Sequence, residues 1–292
     1  MWSDIRQAVG VAVIVPSLLL GPAVPPATEA STVPVSVEAA PAAAIDWELQ
    51  AELEEYLADR EGLYGVAARS LETGQTVMIN ADRSFLSAST YKVLVMYLVY
   101  EQLESGALSA DDVLTISWSD AVEEDPEGGL YPGQAVTAAD ALEAMITISS
   151  NVAAHRLTRL VGGWGQVYAT AQELGMSGTY FQGEYFRTTP EDMLTFFQAL
   201  AEGRLVSPSA SWRMICWLGR QQVNDRIPAL LPDWAFAPHK TGELPGVRND
   251  VGIVYGPNGS YVIAIFSRWA DVDEATWVGA RVSRLVYDRY AG

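Results

Sequence analysis

The chain has 292 residues, a formal net charge of −18 and 49% hydrophobic residues, enough apolar material for a large core. That charge excludes nucleic acid as a partner and argues against an anionic membrane surface, since both need clustered positive charge; a solvated acidic surface is the plain reading. Two histidines and one cysteine are too few for a zinc site or an internal disulfide, so no metal or other cofactor is expected.

Residues 1–30 carry Arg6, an apolar run from Ala8 to Gly21 broken by Pro16, and a small-residue stretch ending near Ala30. This is the order of a secretory signal peptide, with an uncleaved N-terminal anchor as the alternative, so the protein is expected to be exported, periplasmic or extracellular. Residues 31–45 are rich in alanine, valine and proline and read as a linker. Residues 46–292 form the expected catalytic domain.

Within it, Trp47, Leu49, Leu53, Tyr56 and Leu57 recur at helical spacing between Asp46 and Arg60. Leu63 to Leu71 and Thr76 to Asn80, joined by Thr73-Gly74-Gln75, predict a hairpin. A helix is expected from about Ser89 to Leu103, ended by Ser105-Gly106. Short elements and acidic loops follow over 108–134. Thr137-Ala138-Ala139-Asp140 predicts a capped helix to about Ile148. Asn151 to Leu160 and Trp164 to Leu174 predict two more. Thr189-Pro190 opens another helix, through Leu200, and Ser207-Pro208 one to about Leu218. Cys216, in the apolar stretch Met214 to Leu218, reads as a small buried hydrophobe. The nine tryptophans and thirteen tyrosines read mostly as core, with Tyr131 a candidate for the mouth of a cleft.

Val251 to Tyr255 and Ser260 to Ser267, around Gly256-Pro257-Asn258-Gly259, predict a second hairpin, and Ala275 to Tyr290 a closing helix. Strands at both ends with helices between them give an α/β class: an antiparallel sheet flanked by helices, built from both termini. The α/β part is expected at about 46–84 and 228–292, with an all-helical insertion at about 85–227.

Lysine usage singles out chemistry. Sixteen arginines stand beside only two lysines, Lys92 and Lys240. Lysine changes protonation state when desolvated, whereas arginine effectively does not. Ser89-Thr90-Tyr91-Lys92 places a hydroxyl and an amine one helical turn apart, and a neutral lysine can take the serine's proton. Alone, it also reads as an ordinary helix start. Ser149-Ser150-Asn151 sits at a helix junction, where an N-cap is the competing reading. His239-Lys240-Thr241-Gly242 precedes the last hairpin, and Gly242 lets backbone come close to a ligand.

Together, in this order, the three segments resemble the signature set of class A β-lactamases and penicillin-binding proteins. The stretches Met145–Leu157, Gln221–Pro228 and Lys240–Val254 look similar to class A β-lactamase sequence, and the likeness spans roughly residues 46–290. The resemblance implies a serine hydrolase that opens a cyclic amide through an acyl-serine. Ser89 would be the nucleophile, Lys92 its base or proton relay, and Ser149 the proton donor to the leaving nitrogen. Asn151 would bind the substrate's side-chain amide and help fix Lys92. Lys240 would hold Ser149 and supply positive potential. Thr241 would bind the substrate carboxylate, and Gly242 would bring its strand close. The oxyanion hole would be the backbone N–H groups of Ser89 and Glu243.

Two departures stand out. Ser150 occupies the middle position of the second motif, where the family usually has aspartate. No Glu-x-x-Leu-Asn precedes Thr189-Pro190, although class A enzymes place their deacylating glutamate there. Glu184 is the only acid in Ser177 to Arg187; it is the candidate deacylation base, with a solvated loop acid as the other reading. The missing glutamate favours a D,D-peptidase or esterase using the same machinery; a sensor acylated without turnover is the alternative from another class. The expected partner is a small-molecule or peptide substrate, β-lactam or D-Ala-D-Ala-like, and the expected state is a monomer. Arg226, Arg248 and Asp250 are expected to form an ion pair, at the surface or near the cleft. No Gly-x-Ser-x-Gly elbow supports a Ser-His-Asp alternative, and His155 is expected to pack on its helix.

Overall fold

A computed structural model describes residues 44–121, 129–183 and 185–292. The expected signal segment, most of the linker and Glu184 lie outside the described residues.

Strand β1 (Ala44–Ile45) pairs in parallel with β3 (Gln75–Ile79), so the last two residues read as linker belong to a sheet. Between them lie α1 (Trp47–Ala58) and β2 (Leu63–Ser70). Asp46 accepts from Leu49 N at 3.3 Å and caps α1, satisfying a backbone donor the helix leaves open. The segment then runs through β4 (Phe85–Leu86), a 3-10 turn over Ala88–Tyr91, and α2 (Lys92–Ser105), which ends at Gly106 in the left-handed region. Strands β5 (Val113–Thr115) and β6 (Ala135–Thr137) lead to α3 (Ala138–Thr147), whose Thr137 and Asp140 form the expected capping box. Helices α4 (Asn151–Leu160) and α5 (Trp164–Glu173) follow.

Next come strands β7 (Tyr180–Gln182) and β8 (Tyr185–Thr188), then α6 (Pro190–Ala201) and α7 (Pro208–Leu218). Strands β9 (His239–Leu244), β10 (Val247–Tyr255) and β11 (Ser260–Arg268) and helix α8 (Val272–Tyr290) close the chain.

The main sheet has the order β1-β3-β2-β11-β10-β9. All its pairings except β1–β3 are antiparallel, and both ends of the chain contribute, as expected. Alternation along β11 divides the core. Val262, Ala264 and Phe266 join the cluster that includes α2, α3 and α6, whereas Tyr261, Ile263 and Ile265 join the one that includes α1 and α8. Arg289 of α8 pairs with Asp46 at 2.8 Å, tying the two ends of the described chain together.

Three expectations fail on burial or pairing. Cys216 is exposed, because Met214, Ile215 and Leu218 take the inner face of α7 and leave Cys216 outside with Trp212 and Arg213. Trp47, Trp118, Trp212, Trp234, Trp269 and Trp277 are likewise exposed. Arg226 does not pair with Asp250; it pairs with Glu243 and Asp225, whereas Asp250 pairs with His239 at 2.8 Å. Arg248 donates to the carbonyls of Leu244 and Val247.

Candidate active site

Edge strand β9 runs beside the 3-10 turn that carries Ser89. A Cβ built on Gly242 would lie 2.9 Å from Ser87 O and 3.1 Å from Ser89 N. Only glycine lets the strand approach this closely, which places the backbone of Gly242 and Glu243 next to the amide of Ser89. Substituting Gly242→Ala is therefore expected to push β9 away from Ser89 N. Acylation should slow by about 10²–10³, the usual cost of one lost oxyanion donor. Stopped-flow labelling checks this, and an unchanged rate would contradict it.

The segment that leads into Ser89 is held from below by a residue that sequence reasoning missed. Asn249 is fully buried; its Nδ2 donates to Leu86 O at 2.8 Å and its Oδ1 accepts from Ser267 N at 3.2 Å. Nothing in one sequence distinguishes this asparagine from a polar residue on an exposed strand. Ala88 sits at φ 45° and Ser149 at φ 61°, so both segments that flank the site adopt backbone that side-chain-bearing residues rarely take.

Lys92 is fully buried at the start of α2. Its Nζ donates to Ser149 O at 2.5 Å, Asn151 Oδ1 at 2.8 Å and Ser149 Oγ at 3.1 Å. From the opposite side Lys240 Nζ donates to Ser149 Oγ at 3.0 Å and to Thr241 O at 2.9 Å. A hydroxyl has two acceptor lone pairs and one O–H. Both lone pairs of Ser149 are engaged by the two lysines, so its proton is the part left to give away. Asn151 spends its carbonyl oxygen on Lys92, which leaves its N–H₂ for a ligand in the cavity it lines. Ser150, standing where aspartate is usual, is buried and accepts from Ala153 N at 3.1 Å. It caps α4.

Burial, and then the nearby Arg226 guanidinium, push the Lys240 pKa down to about 7, although Asp250 and Glu243 oppose the shift. The lysine is charged below that value and loses its charge above it. Second-order acylation by a carboxylate-bearing substrate is thus expected to fall as pH rises through about 7. A flat rate from pH 6 to 9 would contradict this. Folding stability moves the other way. Between about 7 and the ordinary lysine value the unfolded chain holds a proton that the folded chain has released, so stability from this group rises with pH.

A cavity of about 670 Å³ opens beside these groups, lined by Ser89, Tyr91, Asn151, His155, Trp164, Phe181, Phe186 and Glu243 among others. Its wall on the side of β7 and β8 is aromatic. The Tyr91 and Trp164 rings lie 4.9 Å apart, and Phe181 and Phe186 4.8 Å. His155 thus faces the cavity as well as lying on α4. Tyr131 is exposed and is not part of the lining. His239 is buried behind β9, its Nδ1 2.8 Å from Asp250 Oδ1 and its Nε2 3.0 Å from Asn224 Oδ1. The segment read as a loop from Ser177 to Arg187 contains the antiparallel strands β7 and β8, and β8 also pairs with β4 beside the turn that carries Ser89.

A family model described as the β-lactamase enzyme family matches residues 48–290. The chain is similar to β-lactamase ROB-1 of Haemophilus influenzae, 30% identical over 239 residues, which cover 75% of this chain and 77% of the relative. Among solved structures it is similar to a β-lactamase from Sphaerobacter thermophilus DSM 20745, with a TM-score of 0.78 and 28% identity over 84% of this chain and 98% of that one. It is also similar to PBP-A, with a TM-score of 0.81 and 26% identity over 86% and 98% of the two chains. A PBP-A mutant has been solved as an acyl-enzyme complex with penicillin G; it matches with a TM-score of 0.79 and 25% identity over 85% of this chain and 97% of that one.

Proposed function

The chain belongs to the β-lactamase enzyme family of serine hydrolases, and we propose that it opens the amide of a β-lactam through an acyl-Ser89 intermediate. The observation that carries this reading is the placing of Ser149 Oγ between the amines of Lys92 and Lys240.

In the proposed sequence, Lys92 in its neutral form takes the proton of Ser89 as Oγ attacks the carbonyl carbon. The N–H groups of Ser89 and Glu243 receive the negative charge that develops on the carbonyl oxygen. Collapse breaks the C–N bond, and Ser149 gives its proton to the departing nitrogen. The proton held by Lys92 then restores the Ser149 hydroxyl along their hydrogen bond. Lys240 in its charged form polarises Ser149 and attracts the substrate carboxylate toward Thr241, and the Asn151 amide positions the substrate's side chain. Water then hydrolyses the ester to free Ser89.

This last step is where a second reading enters. No Glu-x-x-Leu-Asn precedes Thr189-Pro190, and strands β7 and β8 in its place turn Phe181 and Phe186 toward the cavity. Among the described residues this wall carries no carboxylate to activate an attacking water, which favours a D,D-peptidase-like or esterase-like enzyme whose β-lactam adduct persists; Glu184 is the candidate base on the competing side. We also propose export, from the order of features in residues 1–30.

The test is a chromogenic cephalosporin followed by absorbance and by intact mass. Many turnovers per protein support efficient hydrolysis. A stoichiometric burst with a lasting adduct supports the slow-release reading. Absence of both signals from protein shown to be folded would contradict acylation.

A further inference from the structure

Arg226 is almost completely buried, at 1% exposure, which is unusual for a guanidinium. Its stem packs against Gly279 of α8, where a Cβ would come within 3.2 Å of Arg226 Cγ. Its Nη2 donates to Glu243 Oε1 at 2.5 Å. Its Nε lies 2.9 Å from Asp225 Oδ1 without hydrogen-bond geometry, and Nη1 has no partner among the described residues. The guanidinium is thus built into the fold with donor capacity to spare.

Glu243, by contrast, is about half exposed and lines the cavity that holds Ser89. Residues two apart on a strand share a face, so its side chain rises on the same face of β9 as Thr241. In a penicillin or cephalosporin the carboxylate sits on the carbon next to the lactam nitrogen. That nitrogen belongs beside Ser149, and the carboxylate therefore falls along the Lys240-Thr241-Glu243 strand. The guanidinium that could receive it already holds an acid from its own chain.

We propose that Glu243 is a specificity-determining residue: it holds Arg226 in place of a substrate carboxylate and so favours acyl donors that are uncharged on the leaving side of the scissile amide or ester. The proposal rests on the acyl-Ser89 reading. A like charge beside the binding position raises the cost of docking an anion, and because the unpartnered Nε and Nη1 of Arg226 are buried, an anionic substrate gains the guanidinium only by displacing Glu243.

The test compares one cephalosporin as the free acid and as its methyl ester, measuring second-order acylation of wild type and Glu243→Gln by intact mass. The ratio of acid to ester rates is expected to rise at least tenfold in the variant. Glu243→Ala should move it in the same direction. A ratio within twofold of wild type in both variants would overturn the proposal, because a merely structural role slows both compounds alike. Failure of both compounds to label folded wild type would instead overturn the acyl-serine reading, and this proposal with it.

Discussion

Ser89→Ala is expected to abolish both the covalent adduct and the turnover of any β-lactam, with a loss of about 10⁴-fold or more. The reasoning is chemical rather than structural. Ser89 lines the cavity, its amide faces the close approach of Gly242, and Lys92 follows one turn later. A methyl group in place of the hydroxyl disturbs none of that geometry, so folding should be unaffected while the bond-forming atom is gone. The measurement is intact mass after exposure to penicillin G, with a thermal melt as the control for folding. Labelling that survives the substitution would place the nucleophile elsewhere.

Lys92→Met is expected to have the second largest effect, slowing acylation by about 10²–10⁴, the range for losing a positioned general base. Methionine fills nearly the same volume and suits the buried start of α2. The substitution strips a donor from Ser149 O, Ser149 Oγ and Asn151 Oδ1. Each acceptor left unsatisfied costs about 1–3 kcal/mol, but a polar amine no longer has to be desolvated, and the two effects offset. The melting temperature should therefore move little while labelling slows. A variant labelled at the wild-type rate would show that another group takes the serine's proton. A variant that fails to fold is distinguished by the melt, and Ser149→Ala then tests the same relay without removing the buried amine.

Most of the scaffold was legible because the helices announce themselves twice, in period and in caps. Thr137 with Asp140, Ser207 before Pro208, and Gly106 after Ser105 mark the ends that the structure shows. The pairing of β7 with β8 is not anticipated, although Gly183 lies between the aromatic stretches Tyr180-Phe181-Gln182 and Tyr185-Phe186. Comparison with a glutamate-bearing loop drew attention to what was missing from the segment rather than to its own pattern. Cys216 was misread for a related reason. The apolar run from Met214 to Leu218 hides its own period, which sends Met214 and Leu218 inward and Cys216 outward.

In the candidate site, residue types and spacing single out Ser89, Lys92, Ser149, Asn151 and Lys240; the fold brings both lysines to the Ser149 hydroxyl, sets Asn151 on Lys92, and lines one cavity with Ser89 and Asn151. The contact of Asn151 with Lys92 follows from the resemblance alone, whereas nothing in the sequence shows that Lys92 Nζ also engages Ser149 or that Arg226 reaches Glu243 across 17 positions instead of Asp250. Such partners are set by how α8 and the sheet pack, which no local pattern encodes. Asn249 was missed on the same ground.

Peptide mapping of the protein after brief reaction with penicillin G tests the central claim most directly. The account predicts one added acyl group, located on the peptide that contains Ser89. An adduct confined to any other residue, or no adduct on protein shown to be folded, would contradict it.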